Sequence, residues 1–539
     1  MVRFNPALEA ARMKRFPFVG TFLACVFLAS TINAANMQSD LREVHLLNRL
    51  AFGPQPGDIE HVKSLGTEEY IRAQLAPESI SLPQSLSAKL DSLSTLRLRP
   101  PELFMEYGPP SVARQKGDKE AAQRARQRAR VIVEQATEAR LMRALESPRQ
   151  LEEVMVNFWF NHFNIFAQKG LDHLWIGSFE EQAIRPYAMG RFRDLLGATA
   201  KHPAMLFYLD NWQNTAPGSP GARGQFKGLN ENYARELMEL HTLGVEGGYS
   251  QDDVITLARI LTGWGFRRPR QAPQALGRGV LQRLTASMKE DTNGFFFDAN
   301  RHDFSSKIFL GRTIKSTGIR EGEEALDILA EHPSTARHIS YKLAQYFVTD
   351  DPPKSLVDRL SKEFLDSRGD IRSVLNALFH SPEFWDQQYF QTKFKTPYEF
   401  VISAVRASGS PITNTRPLLG MMGQLGMPLY GYLTPDGYKN TQAAWLNPNA
   451  MTQRVNYAVA LASGRLPLNQ LPFNAAAPME PAQRMALAKQ AAPNEPVDAA
   501  ALVKTLGNAL SAQTQASVRE SKPQFRAALI LGSPDFMRR

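Results

Sequence analysis

The segment Asn230–Gly244, NENYARELMELHTLG, gathers three acids, an arginine, two asparagines and a histidine within an apolar helical pattern. At about 100° per residue, Asn232, Arg235, Glu236 and Glu239 share one stripe of such a helix. His241 then points roughly the other way, unless the last turn unwinds before Gly244. Carboxylates three residues apart could offer oxygen ligands from one face, and His162, His241 and His302 could complete a site for a divalent zinc, iron or manganese ion. The same helix also suits acid–base chemistry without a metal. Glu236 or Glu239, raised in pKa by burial, would work with His241 or His302, while Arg235 holds an anion and Asp303 stands beside His302.

These spacings do not spell out a reaction. There is no His-Glu-x-x-His, Glu-x-x-His or calcium-loop pattern, so a metal set would need contacts between distant segments. Two carboxylates one turn apart are also too close for an inverting glycosidase. The structural alternative is ordinary: Arg235 pairs with Glu239, Glu231 favours the helix dipole, and His162 sits in a core with Phe158, Trp159 and Phe163. The absence of a Gly-x-Ser-x-Gly elbow, a phosphate loop and a dinucleotide fingerprint removes the commonest serine hydrolases, nucleotide enzymes and NAD enzymes. Six tryptophans spread along 539 residues suit helical cores better than carbohydrate platforms.

Apolar residues recur at three- and four-residue intervals and strand-like alternation is scarce, which predicts a mainly α fold, a multi-helix bundle-like globule. A small β-hairpin is expected near 293–314, around Phe295-Phe296-Phe297. Helix starts are expected at Ser147-Pro148, Ser381-Pro382 and Ser533-Pro534, and after His202 and His332, where a capping side chain precedes a proline. The repeated Ser-Pro-acid-Phe hints at an internal duplication, although this is also simply a good helix start. The expected divisions are a leader at 1–34, a helical region at 35–265 holding the polar helix, an insert at 266–324, a second helical region at 325–470, a connector at 471–498 and terminal helices at 499–539. All of 35–539 could form one structural unit. The loops 214–228 and 267–293 flank the polar helix and its successor, a usual setting for binding.

Arg3, Arg12, Lys14 and Arg15 precede an apolar run from Phe16 to Ile32 and small residues at Ala34 and Ala35, the pattern of a cleaved export signal. The expected localisation is periplasmic or extracellular, with no transmembrane helix once the leader is removed. The surroundings of Cys25 argue against a lipoprotein. Cys25 is the only cysteine, so a mature chain would have neither disulfides nor thiolate metal sites. The formal charge of +10 owes much to the arginines of 119–143, but acids interrupt that stripe and an exported chain rarely meets nucleic acid. A solvated helix face is expected there, or attraction to anionic envelope lipids or polymers.

Several blocks taken together resemble the bacterial family catalogued as domain of unknown function 1800. They are HLLNRLAFGPQP at 45–56, VNFWFNHF at 156–163, the stretch 229–264, RHDFSSKIFLG at 301–311, HPSTARHISYKLAQYFV at 332–348 and TPDGYKNTQAAWLNPNAMTQRVN ending at Asn456. The resemblance runs from about His45 to the terminal SPDF segment. It implies an exported, mostly helical protein and no established reaction. It also implies joint action with another exported protein encoded nearby, on an envelope polymer or small molecule. The motif positions it carries over are Asn161, His162, Asn230, Glu231, Asn232, Arg235, Glu236, Glu239, His241, Gly263, Trp264, His302, Asp303 and Lys307. The leading expectation is an exported metal-dependent hydrolase or oxidase, and the alternative is a non-enzymatic scaffold whose polar helix is an internal salt-bridge network.

Overall fold

Side chains that accept hydrogen bonds stand just ahead of several helices and set where they begin. Ser250 and Asp253 form a reciprocal capping box, as do Thr396 and Glu399. His202 and His332 cap in the same way through a ring nitrogen, accepting from Ala204 N at 3.2 Å and Ser334 N at 3.1 Å, each followed by proline in the first turn. The computed structural model describes residues 40–109, 119–267, 294–469 and 494–539. The expected leader with Cys25, most of the basic loop and most of the Ala/Pro-rich connector lie outside the described residues.

The helices that position the site are α1 (40–50), α2 (Lys119–Glu146), α3 (Gln150–His162), α4 (Asn232–Glu239), α5 (Gln251–Ile260), α6 (Ile319–Glu331), α7 (Pro333–Phe347), α8 (Pro397–Ser408), α9 (Pro448–Ala462) and α10 (Pro523–Leu531). Shorter helices connect them. The fold is mainly α, and strands among the described residues form two small antiparallel pairs. Strand β1 (Trp264–Phe266) pairs with β2 (Phe295–Phe297), with Trp264 opposite Phe297. Strands β3 (Lys307–Phe309) and β4 (Arg312–Ile314) make a hairpin inside the expected span 293–314, with Lys307 opposite Ile314, whereas Phe295-Phe296-Phe297, around which the hairpin was expected, pairs with β1 instead.

Helix α4 packs on α5, α5 on β3 and α6, and α6 on α7, so the polar helix and α7 belong to one stack. Buried apolar side chains form a continuous core running in sequence from Val44 to Met537. Trp159, Trp175 and Trp264 are fully buried in it. Beneath α2, a π-helical turn at Phe179–Ile184 turns Glu180 and Glu181 toward Arg140, Arg143 and Arg185; Arg140 reaches Glu180 at 2.9 Å, and Tyr430 donates to the same carboxylate at 2.8 Å.

Two of the expected helix starts are helix ends. Ser381 and Ser533 each donate to the carbonyl three residues back, at 2.7 and 2.8 Å, and accept from the amide of the buried Phe384 or Phe536 at 3.2 and 3.1 Å. The hydroxyl thus closes the preceding helix, and Ser-Pro-acid-Phe forms a single turn. At Ser147 the expected start holds two residues later: its hydroxyl accepts from Arg149 N at 3.1 Å and α3 begins at Gln150.

Candidate functional site

The α4 helix widens as it ends. His241 N donates to Glu236 O at 3.1 Å and Leu243 N to Met238 O at 2.8 Å, each spanning five residues rather than four. Thr242 holds the widened turn by donating to Leu237 O at 2.7 Å. The extra residue carries His241 off the outward path and into the core against Phe163, with ring centres 5.1 Å apart. Gly244 closes the turn at φ 86°, where a Cβ would also lie 3.0 Å from His338 Nδ1. Only glycine suits both conditions.

His162, at the end of α3, meets this turn. Its Nε2 lies 3.1 Å from His241 O, and because a carbonyl can only accept, Nε2 carries the proton. Nδ1 is then the acceptor for the Lys342 ammonium at 2.9 Å, which fixes a neutral tautomer. His338 and Lys342 are four residues apart on α7 and share its inner face. The His162 ring centre is 6.1 Å from that of His241 and 6.3 Å from that of His338. Burial, and next the Lys342 charge, depress His162 far below the usual imidazole range, His241 to about 3 and His338 to about 4. All three are therefore neutral at physiological pH. Burial, reinforced by Lys439 and opposed by Asp436, lowers Lys342 itself to about 8.

The facing wall is acidic. Glu236 is raised by burial first and then by Glu239 and Asp436, against the lowering effect of Arg235. Tyr249 donates to Glu239 at 3.4 Å. Asp436 acts on both Glu236 and Lys342 and is paired to Lys439 at 2.7 Å. Asp436 sits in the segment 428–441, which is strapped to the end of α3. Asn161 donates to Tyr438 O at 2.8 Å and accepts from Tyr438 N at 2.7 Å, Asn164 donates to Thr434 O at 2.8 Å, and Tyr208 donates to Leu433 O at 2.7 Å. The strap approaches so closely that a Cβ on Gly437 would lie 2.1 Å from Asn161 O. Glu236, Glu239, His338, Lys342 and Asp436 are all only half-buried.

The single pocket expected from the sequence divides in two. His162, His241, Glu236 and Glu239 belong to the α4 region, the two histidines buried and the two glutamates half-buried. His302 does not: its Nε2 lies 2.9 Å from Glu321 Oε1 and its Nδ1 2.9 Å from Thr262 O, while Lys307 reaches Glu321 Oε2 at 2.7 Å. The side chains of His302, Lys307 and Glu321 are wholly buried in this clasp, which ties the β-region to the start of α6. Asp303 is spent on Arg259 at 2.8 Å, and hydrogen bonds from Ser305 and Arg259 overcome burial to hold its carboxyl low. Among the described residues, no three histidine, aspartate or glutamate side chains stand where they could share a metal ion, so the expected ligand set is not assembled. Both ring nitrogens of His162 and His302 are already occupied, which is the physical reason.

Other motif positions prove architectural. Arg235 pairs with Glu231 at 3.5 Å and bonds Gln251 at 2.8 Å, rather than pairing with Glu239 as expected. Asn230 receives the amide of Asn232 at 3.0 Å, and Asn232 donates to Leu209 O at 3.1 Å. Trp264 packs against Gly322, where a Cβ would lie 2.0 Å from its ring. Sequence reasoning singled out His338 among the histidines but left Lys342, Asp436 and Tyr208 out of the site. The four-residue spacing of His338 and Lys342 was the available signal for that pair; Asp436 and Tyr208 carry none.

The family model described as "Protein of unknown function (DUF1800)" matches residues 45–538. No curated protein and no solved structure matches the chain.

Proposed function

We propose, on the premise that the chain belongs to the DUF1800 family, that it is an exported acid–base hydrolase acting on an envelope or extracellular substrate between α4, α7 and the strap. What supports the reading is a carboxyl pushed up, Glu236, and an amine pushed down, Lys342, both half-buried and both acted on by the charge of Asp436. Each shift improves the group for proton transfer near neutrality. The Glu236 carboxylate is a stronger base than an ordinary glutamate and takes the proton of the attacking water. The Lys342 ammonium is a stronger acid than an ordinary lysine and delivers a proton to the leaving group. His162 accepts from Lys342 through Nδ1 and so aims the ammonium.

Between the raised Glu236 value and about 8, both groups are in their working forms, so turnover follows a bell whose upper limb falls near 8. The test is a panel of chromogenic esters, amides and glycosides assayed with the wild-type protein, Glu236→Gln and Lys342→Met. Turnover of a panel member should fall by about 10²–10⁴-fold in each variant. Turnover indifferent to both changes, or none from the wild type, would sink the reading.

One observation favours the scaffold alternative. Arg235, Gln251 and Glu231 close a ring of bonds on the outer face of α4, with Gln251 donating to Glu231 at 2.7 Å, as an internal network would. In that case an exported partner should co-purify and the panel should stay silent.

A further inference from the structure

On the far side of the strap, α2 faces the loop 167–173 and residues Pro428–Gly431 across a groove of about 680 Å³. That volume lies within the range of small-ligand sites, roughly 300–1,000 Å³. Four arginines alternate along this part of α2, and the helix sorts them. Arg126 and Arg130, one turn apart, line the groove, whereas Arg124 and Arg128 do not. Arg124 pairs with Glu120 at 3.3 Å, while Arg126 and Arg130 are exposed and make no ion pair among the described residues.

The rest of the wall is not that of a simple cation patch. Glu134, one turn beyond Arg130, and the exposed Gln168 add acceptors. His173 adds a third: its Nδ1 is committed to Gly170 O at 2.7 Å, which must receive a proton, so Nε2 is left with its lone pair. Val133 and Pro428 supply apolar surface between these groups. Two cations about 6 Å apart along the helix axis match carboxylates carried by successive residues of a chain. The acceptors match hydroxyl groups, and the Glu134 carboxylate repels a ligand as densely charged as a polyphosphate.

We propose that this groove binds an acidic glycan, a chain of sugars bearing spaced carboxylates, with Arg126 and Arg130 holding the carboxylates and Glu134, Gln168 and His173 accepting from hydroxyls. The inference does not depend on the acid–base reading, since a scaffold could use the groove equally well.

Calorimetric titration of the whole protein with tetragalacturonate, and with uncharged maltotetraose, tests it. Tetragalacturonate should bind, Arg126→Ala with Arg130→Ala should weaken it about tenfold or more, and Arg124→Ala with Arg128→Ala should leave it unchanged. The two pairs remove the same charge from the same helix, so equal weakening would reduce the effect to diffuse attraction and overturn the proposal. It is also overturned by absence of binding, by maltotetraose binding as tightly, or by tripolyphosphate displacing tetragalacturonate at lower concentration than tetragalacturonate itself requires. His173→Ala should weaken both saccharides in proportion if the hydroxyl contacts are as assigned.

Discussion

Lys342 holds a charge where the surroundings resist it, and this has a cost that can be measured apart from activity. Its amine titrates near 8 in the folded chain, against an ordinary value near 10.5. Between those two pH values the unfolded chain binds more protons than the folded one, so this lysine makes stability rise with pH across that window. Below about 8 the penalty is present in full. Lys342→Met should therefore raise the melting temperature at pH 7 and flatten the increase that the wild type shows from pH 8 to 10.5, while removing turnover. Thermal denaturation of both proteins across that range checks the sign. A methionine variant less stable at pH 7 would mean that the Lys342–His162 bond outweighs the desolvation of the amine. A stabilising change that destroys activity is what a site held in place for function produces.

Among the elements, what was legible in the sequence is what depends on neighbours in the chain. The stripe on α4 and the caps at His202 and His332 are local and appear where their residues predict; a hairpin also falls within 293–314, but at β3–β4 rather than around Phe295-Phe296-Phe297. The partner of the stripe was not legible, because α3, α7 and the strap come from segments on either side of α4, roughly 70 to 190 residues away from it in sequence. The widened turn that brings His241 inward was open in the sequence only as an alternative, an unwinding before Gly244, because it rests on a threonine, a glycine and the room beside His338, none of which is periodic. His302 was misassigned because a buried imidazole beside an acid and a lysine reads the same whether it binds a metal or clasps two elements. The clasp makes its own prediction. Glu321 also accepts from Thr317 N and Gly318 N, each at 3.1 Å, so in Glu321→Gln the amide donor must face either these groups and His302 or Lys307, and Lys307 is left with only Asp303, at 3.9 Å, as a counter-charge. The cost should be about 3–5 kcal/mol, read as a fall in the urea midpoint, with turnover per folded molecule unchanged. A variant that keeps its stability but loses turnover would return His302 to the catalytic machinery.

For the whole molecule, the question is whether sequence-distant segments unfold together. Helix α1 places His45 Nε2 2.9 Å from Phe384 O and stacks its ring on Phe390 at 4.0 Å, while Arg49 donates to Tyr389 O at 2.8 Å. From the other end of the described chain, Arg539 pairs with Glu399 of α8 at 2.9 Å and donates to Tyr346 O of α7 at 3.0 Å. Glu399 is thus the counter-charge for a crowded interior. It supports Arg49, Lys395 and Arg454 against burial, although Lys395 still falls to about 7 and Arg454 to about 10. Glu399→Gln should cost about 3–5 kcal/mol at pH 6, because it strands these cations. At pH 9 the loss should be smaller, since Lys395 has already given up its proton and one fewer charge is left exposed to the change. Because the affected side chains tie α1, α7, α8 and the α9–α10 pair into one core, the variant should still melt in a single calorimetric transition at a lower temperature. Hydrogen exchange should show α1 and α10 opening with the same free energy. Two resolved transitions, or α10 exchanging freely while α1 stays protected, would divide the molecule into units that the continuous core does not predict.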